Sequence, residues 1–239
     1  HQVYSFSRDS KTLIFGTDEQ SEFSQAMAFD IASGKATLFS KADWDIMYIG
    51  FSKDNKFRVE GVNADAATKV TIVDQQSGQP LTLPALPAGD LRSVEFSDDG
   101  KTLSFYLNAD NSPSNLYVWT IGSAKAERLT QALDKAIDES VLVVSEVVRY
   151  PSFDGLQIPA LLYKPKQATN TAQVPALIWI HGGPGGQSRT GYSASIQHLV
   201  NQGYAVLAVN NRGSSGYGKT FFHLDDLKHG EHDLQDIVY

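Results

Sequence analysis

The stretch His181-Gly182-Gly183-Pro184-Gly185-Gly186-Gln187 is the strongest candidate for chemistry in this chain, and it follows directly on the apolar run Leu177-Ile178-Trp179-Ile180. Consecutive glycines leave backbone N–H groups bare of side chains and able to turn inward. At the end of a strand, two or three such donors can hold the negative oxygen of an acyl-transfer intermediate, each contributing roughly 3–4 kcal/mol. His181, Gly182 and Gly183 are the candidate residues of such an oxyanion loop; the competing interpretation is a purely structural glycine turn.

A nucleophile to match is missing. Gly-x-Ser-x-Gly occurs nowhere: Gly213-Ser214-Ser215-Gly216 has the wrong spacing, and Gly186-Gln187-Ser188-Arg189-Thr190 lacks the closing Gly. No catalytic residue is assigned within the chain. The polar cluster His223, Asp225, Asp226, His229, Glu231, His232 and Asp233 contains no His-Glu-x-x-His, and it reads as a solvated helical face on which His229 and His232 stand on neighbouring turns. No metal is expected. Neither Gly-x-Gly-x-x-Gly nor Gly-x-x-x-x-Gly-Lys-Ser/Thr is present, so no cofactor is expected either.

The elements around the loop have α/β character. Val141–Arg149 and Leu156–Tyr163 read as strands joined through the turn Ser152-Phe153-Asp154-Gly155. Val174–Ile180 is a near-continuous apolar strand of the kind buried on both faces of a mostly parallel sheet. Ser193–Asn201 has helical spacing of Ile196, Leu199 and Val200, with Gly203 as its stop, and Tyr204–Val209 is a second buried strand. Strand, helix and strand at these lengths make a βαβ unit. Glu231–Tyr239 is helix-like, and the sheet is expected to continue outside the chain, leaving Ala205–Val209 with an unpaired edge. Strand followed by His-Gly-Gly followed by helix is the oxyanion-loop pattern of α/β-hydrolases.

The first half has a different pattern. Phe6-Ser7-Arg8-Asp9-Ser10-Lys11, Phe51-Ser52-Lys53-Asp54-Asn55-Lys56 and Phe96-Ser97-Asp98-Asp99-Gly100-Lys101 recur at a spacing of 45 residues, each followed by a strand-like run. A second turn recurs at Asp30–Lys35 and Asp74–Gln79, with a decayed copy at Thr120–Lys125. Two hairpin turns per unit, and so four short strands per 45 residues, is the signature of a β-propeller blade. A β-sandwich with similar turns fits the equal spacings less well. Because propellers typically close with 4–8 blades, the expected architecture is three blades of a larger ring followed by the N-terminal half of an α/β-hydrolase domain. The boundaries read as 1–130 for the blades, 131–142 for a polar, partly helical connector and 143–239 for the hydrolase part.

Taken together, four stretches resemble the prolyl oligopeptidase family of serine peptidases, in particular its acylaminoacyl-peptidase and dipeptidyl-peptidase-like branch. Tyr150–Gly155 with Ile158-Pro159-Ala160 and Leu162-Tyr163-Lys164-Pro165 is similar to the entry into that family's hydrolase domain. His181–Gln187 is similar to its oxyanion loop, Asn210–Lys219 to its Arg-Gly-Ser-x-Gly-Tyr-Gly segment, and His229-Gly230 with Asp233 and Asp236 to the helix before its nucleophile strand. The resemblance implies hydrolysis of short peptides through an acyl-enzyme, with the Ser-Asp-His triad beyond residue 239 and the chain itself inactive. It also implies that His181 lines the oxyanion site rather than acting as general base. Arg212 and Tyr217 could contact substrate, although an Arg after a buried strand more often braces a loop through carboxylates.

Composition excludes several classes. The chain has 239 residues, no cysteine and a formal charge of −7, so thiol catalysis, Cys-ligated zinc and a basic nucleic-acid surface are absent. No apolar run reaches the roughly 18 residues of a membrane span. The start, His1-Gln2-Val3-Tyr4, reads as the interior of a longer chain, and the compartment is unassigned. Peptide substrates are the expected partners, with neither nucleic acid nor membrane, and a homo-oligomer is left open. Two other functions fit the same residues: an esterase with an accessory propeller, and a non-catalytic propeller binding module.

Overall fold

The computed structural model describes residues 1–183 and 185–239; Pro184 of the glycine-rich stretch lies outside the described residues. Three antiparallel meanders come first. β1 (Gln2–Phe6), β2 (Thr12–Thr17), β3 (Gln25–Asp30) and β4 (Lys35–Ser40) form the first, and β5 (Asp45–Phe51), β6 (Phe57–Ala64) and β7 (Ala67–Asp74) the second. β8 (Asp90–Phe96), β9 (Thr102–Ala109), β10 (Ser112–Thr120) and β11 (Glu127–Arg128) form the third. None of these sheets closes on itself.

The 45-residue repeat is a repeat of hydrogen bonds. Ser7, Ser52 and Ser97 each donate through Oγ to the Asp two residues on, at 2.7, 2.6 and 2.7 Å. The same three hydroxyls accept the backbone N–H of Thr12, Phe57 and Thr102 at 2.9, 2.9 and 3.0 Å. Each turn then needs one residue at positive φ, filled by Ser10 (57°), Asn55 (61°) and Gly100 (64°). Asx and Ser side chains supply the turn backbone with local partners, so six residues suffice to specify the geometry. The serine hydroxyls first, and then the backbone N–H groups, hold Asp9, Asp54 and Asp99 below the usual carboxylate range.

A depressed folded pKa contributes stability that is complete above the unfolded value, about 3.9, and is lost as pH falls through the folded one. Acid titration of the triple variant Asp9→Asn, Asp54→Asn, Asp99→Asn should therefore show a shallower fall of the melting temperature below about pH 4 than the wild type. Superimposable curves would refute the assignment.

The second meander departs from the repeat. A fourth strand is expected after Gln79, yet only an isolated bridge, Val73 to Pro80, is formed. Pro80, Pro84 and Pro87 deprive this segment of ladder donors, which stops a strand. The meanders share apolar cores. Ile14, Ala26, Ile46 and Ile49 join the first two, and Phe57, Ile72, Leu103, Phe105 and Trp119 join the second and third.

The connector is less helical than its pattern suggests, with a single 3-10 turn at Glu139–Val141, where Asp138 accepts the N–H of Ser140 at 2.8 Å. A mixed sheet follows, built from β12 (Glu146–Pro151), β13 (Gln157–Tyr163), β14 (Ala176–Ile180) and β15 (Ala205–Val209) in the order β12-β13-β15-β14. β14 and β15 run parallel and the other pairs antiparallel. Between β14 and β15 lies α1 (Ala194–Asn201), capped by the Ser193 hydroxyl on the Ile196 N–H. α2 (Lys219–Phe222) and α3 (His232–Val238) come after β15.

Two expectations fail in this sheet. Ala205–Val209 has no free edge, because it pairs with β13 on one side and β14 on the other. The edge is β14 instead, and the run expected to be buried on both faces leaves Ile178 at 46% and Ile180 at 52% exposure. An apolar strand reports that it prefers cover, not which neighbours supply it.

The chain divides into two compact units, 1–107 with 115–131, and 108–114 with 132–239. The second unit thus includes the tip of the β9–β10 hairpin. There the buried Asp110 carboxylate accepts the N–H and hydroxyl of Ser145 at 2.8 and 2.6 Å, the Tyr163 hydroxyl at 3.0 Å and the Gly191 N–H at 2.8 Å. Among the described residues no helix is long and apolar enough to cross a membrane.

Candidate active site

β14 delivers the chain into the glycine-rich loop at its carboxyl end, where open α/β sheets bind ligands. His181, Gly182 and Gly183 line a cavity of about 290 Å³ together with Asn211, His229 and Asp233. Among the described residues, the N–H groups of Gly182 and Gly183 donate no hydrogen bond. Gly183 has φ +135°, and a Cβ there would stand 2.8 Å from the Gly186 nitrogen, so the turn admits glycine alone. Both glycines are exposed, so their N–H groups are open to solvent or to a ligand, as the donors of an oxyanion site must be before substrate arrives.

The segment 210–218 after β15 supports the loop. Ser215 N–H donates to Gly186 O at 2.9 Å, and Asn210 exchanges two bonds with the backbone of Ser188, at 2.6 and 3.0 Å. His181 Nε2 lies 2.9 Å from Ser214 Oγ. The Tyr217 hydroxyl accepts from Asn210 Nδ2 at 3.0 Å, and its ring packs on Phe221.

Arg212 is a brace. Its side chain is 4% exposed, and Asp236 is fully buried beside it. Nε lies 3.0 Å from both Asp236 oxygens and Nη2 2.8 Å from Oδ1, while Nη1 and Nη2 reach Asp154 at 3.0 and 3.1 Å. Asp236 also accepts the Arg212 N–H and the Ser152 hydroxyl, at 2.8 and 2.6 Å, and the guanidinium lies over the Phe153 ring. Burial opposes the charge of Arg212, but the hydrogen bonds to Asp236 and Asp154 outweigh it and hold the guanidinium above its ordinary value. Asp154 is correspondingly held low, first by its bond from Arg212. Burial, then the charge of Asp236, pushes the Tyr150 hydroxyl up to about 12.

The polar cluster divides. Asp225, His229 and Asp233 present ligand-type atoms within 4.8 Å of one another, with His229 Nδ1 at 3.2 Å from Asp225 Oδ2 and 2.9 Å from Asp233 Oδ2. Burial, and then the charge of Asp233, raises Asp225 above the usual carboxylate range. His229 precedes α3 rather than stacking one turn from His232, and His232 instead packs on Phe153. Ser214, Asn211 and Asp236 carry parts of this site that no spacing in the sequence assigns to them; their partners are distant or lie in loops.

Residues 190–239 match the family model described as the prolyl oligopeptidase family. The dipeptidyl aminopeptidase BIII of Pseudoxanthomonas mexicana is 32% identical over 234 residues, covering 89% of this chain and 32% of that protein. Residues 190–239 thus carry the sequence signature of the prolyl oligopeptidase family. The uncharacterized peptidase YuxL of Bacillus subtilis is 30% identical over 148 residues, covering 62% of this chain and 22% of that protein. A solved Mycobacterium tuberculosis puromycin-hydrolyzing peptidase superimposes with a TM-score of 0.82 at 16% identity, over 98% of this chain and 37% of the other, a likeness of fold. The chain therefore spans a third or less of the curated relatives named here.

Proposed function

We propose that the protein is a serine peptidase acting on short peptides by acyl-enzyme chemistry, and that residues 1–239 supply its oxyanion loop but not its triad. The observation that carries this reading is that Gly182 and Gly183 line a cavity at the carboxyl end of β14 while their N–H groups are unbonded among the described residues. In this reading the attacking hydroxyl, its imidazole base and the orienting carboxylate belong to sequence outside 1–239, since no Gly-x-Ser-x-Gly occurs within it. As the scissile carbonyl becomes tetrahedral, its oxygen takes up negative charge and receives the loop N–H bonds. These donors strengthen only in the transition state, so they accelerate the reaction rather than merely tightening binding. Peptide-hydrolysing relatives support the substrate class.

The three meanders are read as β-propeller blades over 1–130, followed by the connector 131–142 and the N-terminal half of an α/β-hydrolase domain over 143–239. The equal 45-residue turn spacing and the mixed sheet support this assignment. Arg212 and Tyr217 serve it as structural supports of the loop.

A fluorophosphonate probe tests the proposal. It should leave the 239-residue chain unlabelled and label the product of the reading frame extended past Tyr239. Labelling of the short chain, or none of the extended one, would overturn it. Rates of the extended protein on peptide amides against alkyl esters separate a peptidase from an esterase.

A further inference from the structure

Asp225, His229 and Asp233 follow an Asp-x-x-x-His-x-x-x-Asp spacing, which a search for His-Glu-x-x-His passes over. Asp225 closes a 3-10 turn, His223–Asp225, and Asp233 lies in the first turn of α3. Between them the chain turns twice, Lys228 N–H donating to Asp225 O at 3.0 Å and Glu231 N–H to Lys228 O at 3.1 Å. A Cβ at Gly213 would fall 2.6 Å from Asp225 Cβ, so this aspartate is seated directly on the backbone that follows β15. Both carboxylates are buried, and among the described residues His229 is the one basic group that pairs with either.

That ring does not answer both of them. Nδ1 carries at most one hydrogen, yet it faces Asp225 Oδ2 at 3.2 Å and Asp233 Oδ2 at 2.9 Å. The second oxygen of each carboxylate, Asp225 Oδ1 and Asp233 Oδ1, is buried and has no hydrogen-bond partner. Bare carboxylate oxygens away from water are costly, and two in one cluster call for a positive charge that a single shared hydrogen does not supply. A metal ion takes a lone pair from all three side chains at once. Donors about 2.1 Å from one ion stand about 3.0 Å apart at right angles and about 3.4 Å apart at the tetrahedral angle. The two nitrogen–oxygen edges, 2.9 and 3.2 Å, are close to that range, and all three ligand atoms lie within 4.8 Å of one another. His229 and Asp233 also line the 290 Å³ cavity, which leaves room for water to complete a coordination shell. An imidazole beside two carboxylates suits zinc-like ions better than Ca²⁺ or Mg²⁺, which favour oxygen alone.

We propose that Asp225, His229 and Asp233 form a binding site for a divalent transition-metal ion, with zinc the best match to the donors, and that the ion fastens the start of α3 to the loop after β15. The site stands apart from the oxyanion reading and draws its protein ligands entirely from this chain.

The probe is Zn²⁺ added to the 239-residue chain, followed by calorimetry and thermal unfolding. One ion should bind per chain and raise the melting temperature. His229→Gln should weaken zinc binding on the order of 100-fold or more and abolish that rise, since loss of a ligand costs at least as much as loss of a supporting partner. The His229 side chain is 67% exposed, so the metal-free variant should unfold close to the wild type. His1→Gln and His223→Gln, which alter the other exposed histidines able to pair with a second donor, should keep the zinc. Failure to bind zinc overturns the proposal. So does binding that survives His229→Gln, or that disappears in His1→Gln or His223→Gln, either of which marks an adventitious surface site only. X-ray absorption at the zinc edge of the wild type needs no variant: one imidazole among oxygen ligands is expected, and a shell with two or more imidazoles overturns the assignment.

Discussion

Replacing Arg212 with Met is expected to destabilise the second unit by about 3–5 kcal/mol, the cost of leaving a buried charge without its partner. Asp236 is fully buried and takes three contacts from the guanidinium, so the variant abandons a carboxylate where water does not reach it. Asp154 loses less, because its side chain is 41% exposed and can return to solvent. Hydrogen exchange at the amides of β13 and β15 reads the second unit separately from the first. Two companion variants sharpen the result. Arg212→Lys keeps the charge but loses the flat fork that reaches both carboxylates, and should fall between wild type and Met. Asp236→Asn in the Met background should cost less than the sum of the single changes, because it removes the stranded charge. Additive losses, or a Met variant as protected as wild type, would show that the pair is not the clamp described.

Gly183→Ala in the extended peptidase should lose about 10²–10³ in kcat with KM little changed, the penalty for losing one oxyanion donor. At φ +135° the added methyl would meet the Gly186 nitrogen at 2.8 Å, a backbone atom that cannot step aside, so the peptide must rotate and carry the Gly183 N–H with it. Gly182 is the control next door: its φ is ordinary and nothing lies within 4 Å of a Cβ placed there. Gly182→Ala keeps its N–H and its conformation, and should retain far more activity. Gly34→Ala, in an open turn at φ +68°, should cost about 1–2 kcal/mol of stability for its left-handed backbone and leave the kinetics unchanged. If Gly183→Ala turned over substrate at the wild-type rate, the loop would be a structural turn and the functional reading would fail.

What the amino-acid order determined by itself is everything whose bonds close within a few residues. The Ser-x-Asp turns need only their own hydroxyls, carboxylates and one residue at positive φ, so their 45-residue recurrence was readable as hairpins. The Ser193 cap on α1 is local in the same sense. Tertiary structure decided the rest. Arg212 finds Asp236 24 residues and Asp154 58 residues away, and Asp110 reaches Ser145, Tyr163 and Gly191 across 35, 53 and 81 residues. Whether β14 or β15 lies at the edge likewise depends on which strands come alongside. A side chain's type states what it needs to bond or cover; only the closed chain, having met the entropy of bringing distant segments together, chooses the partner that answers it.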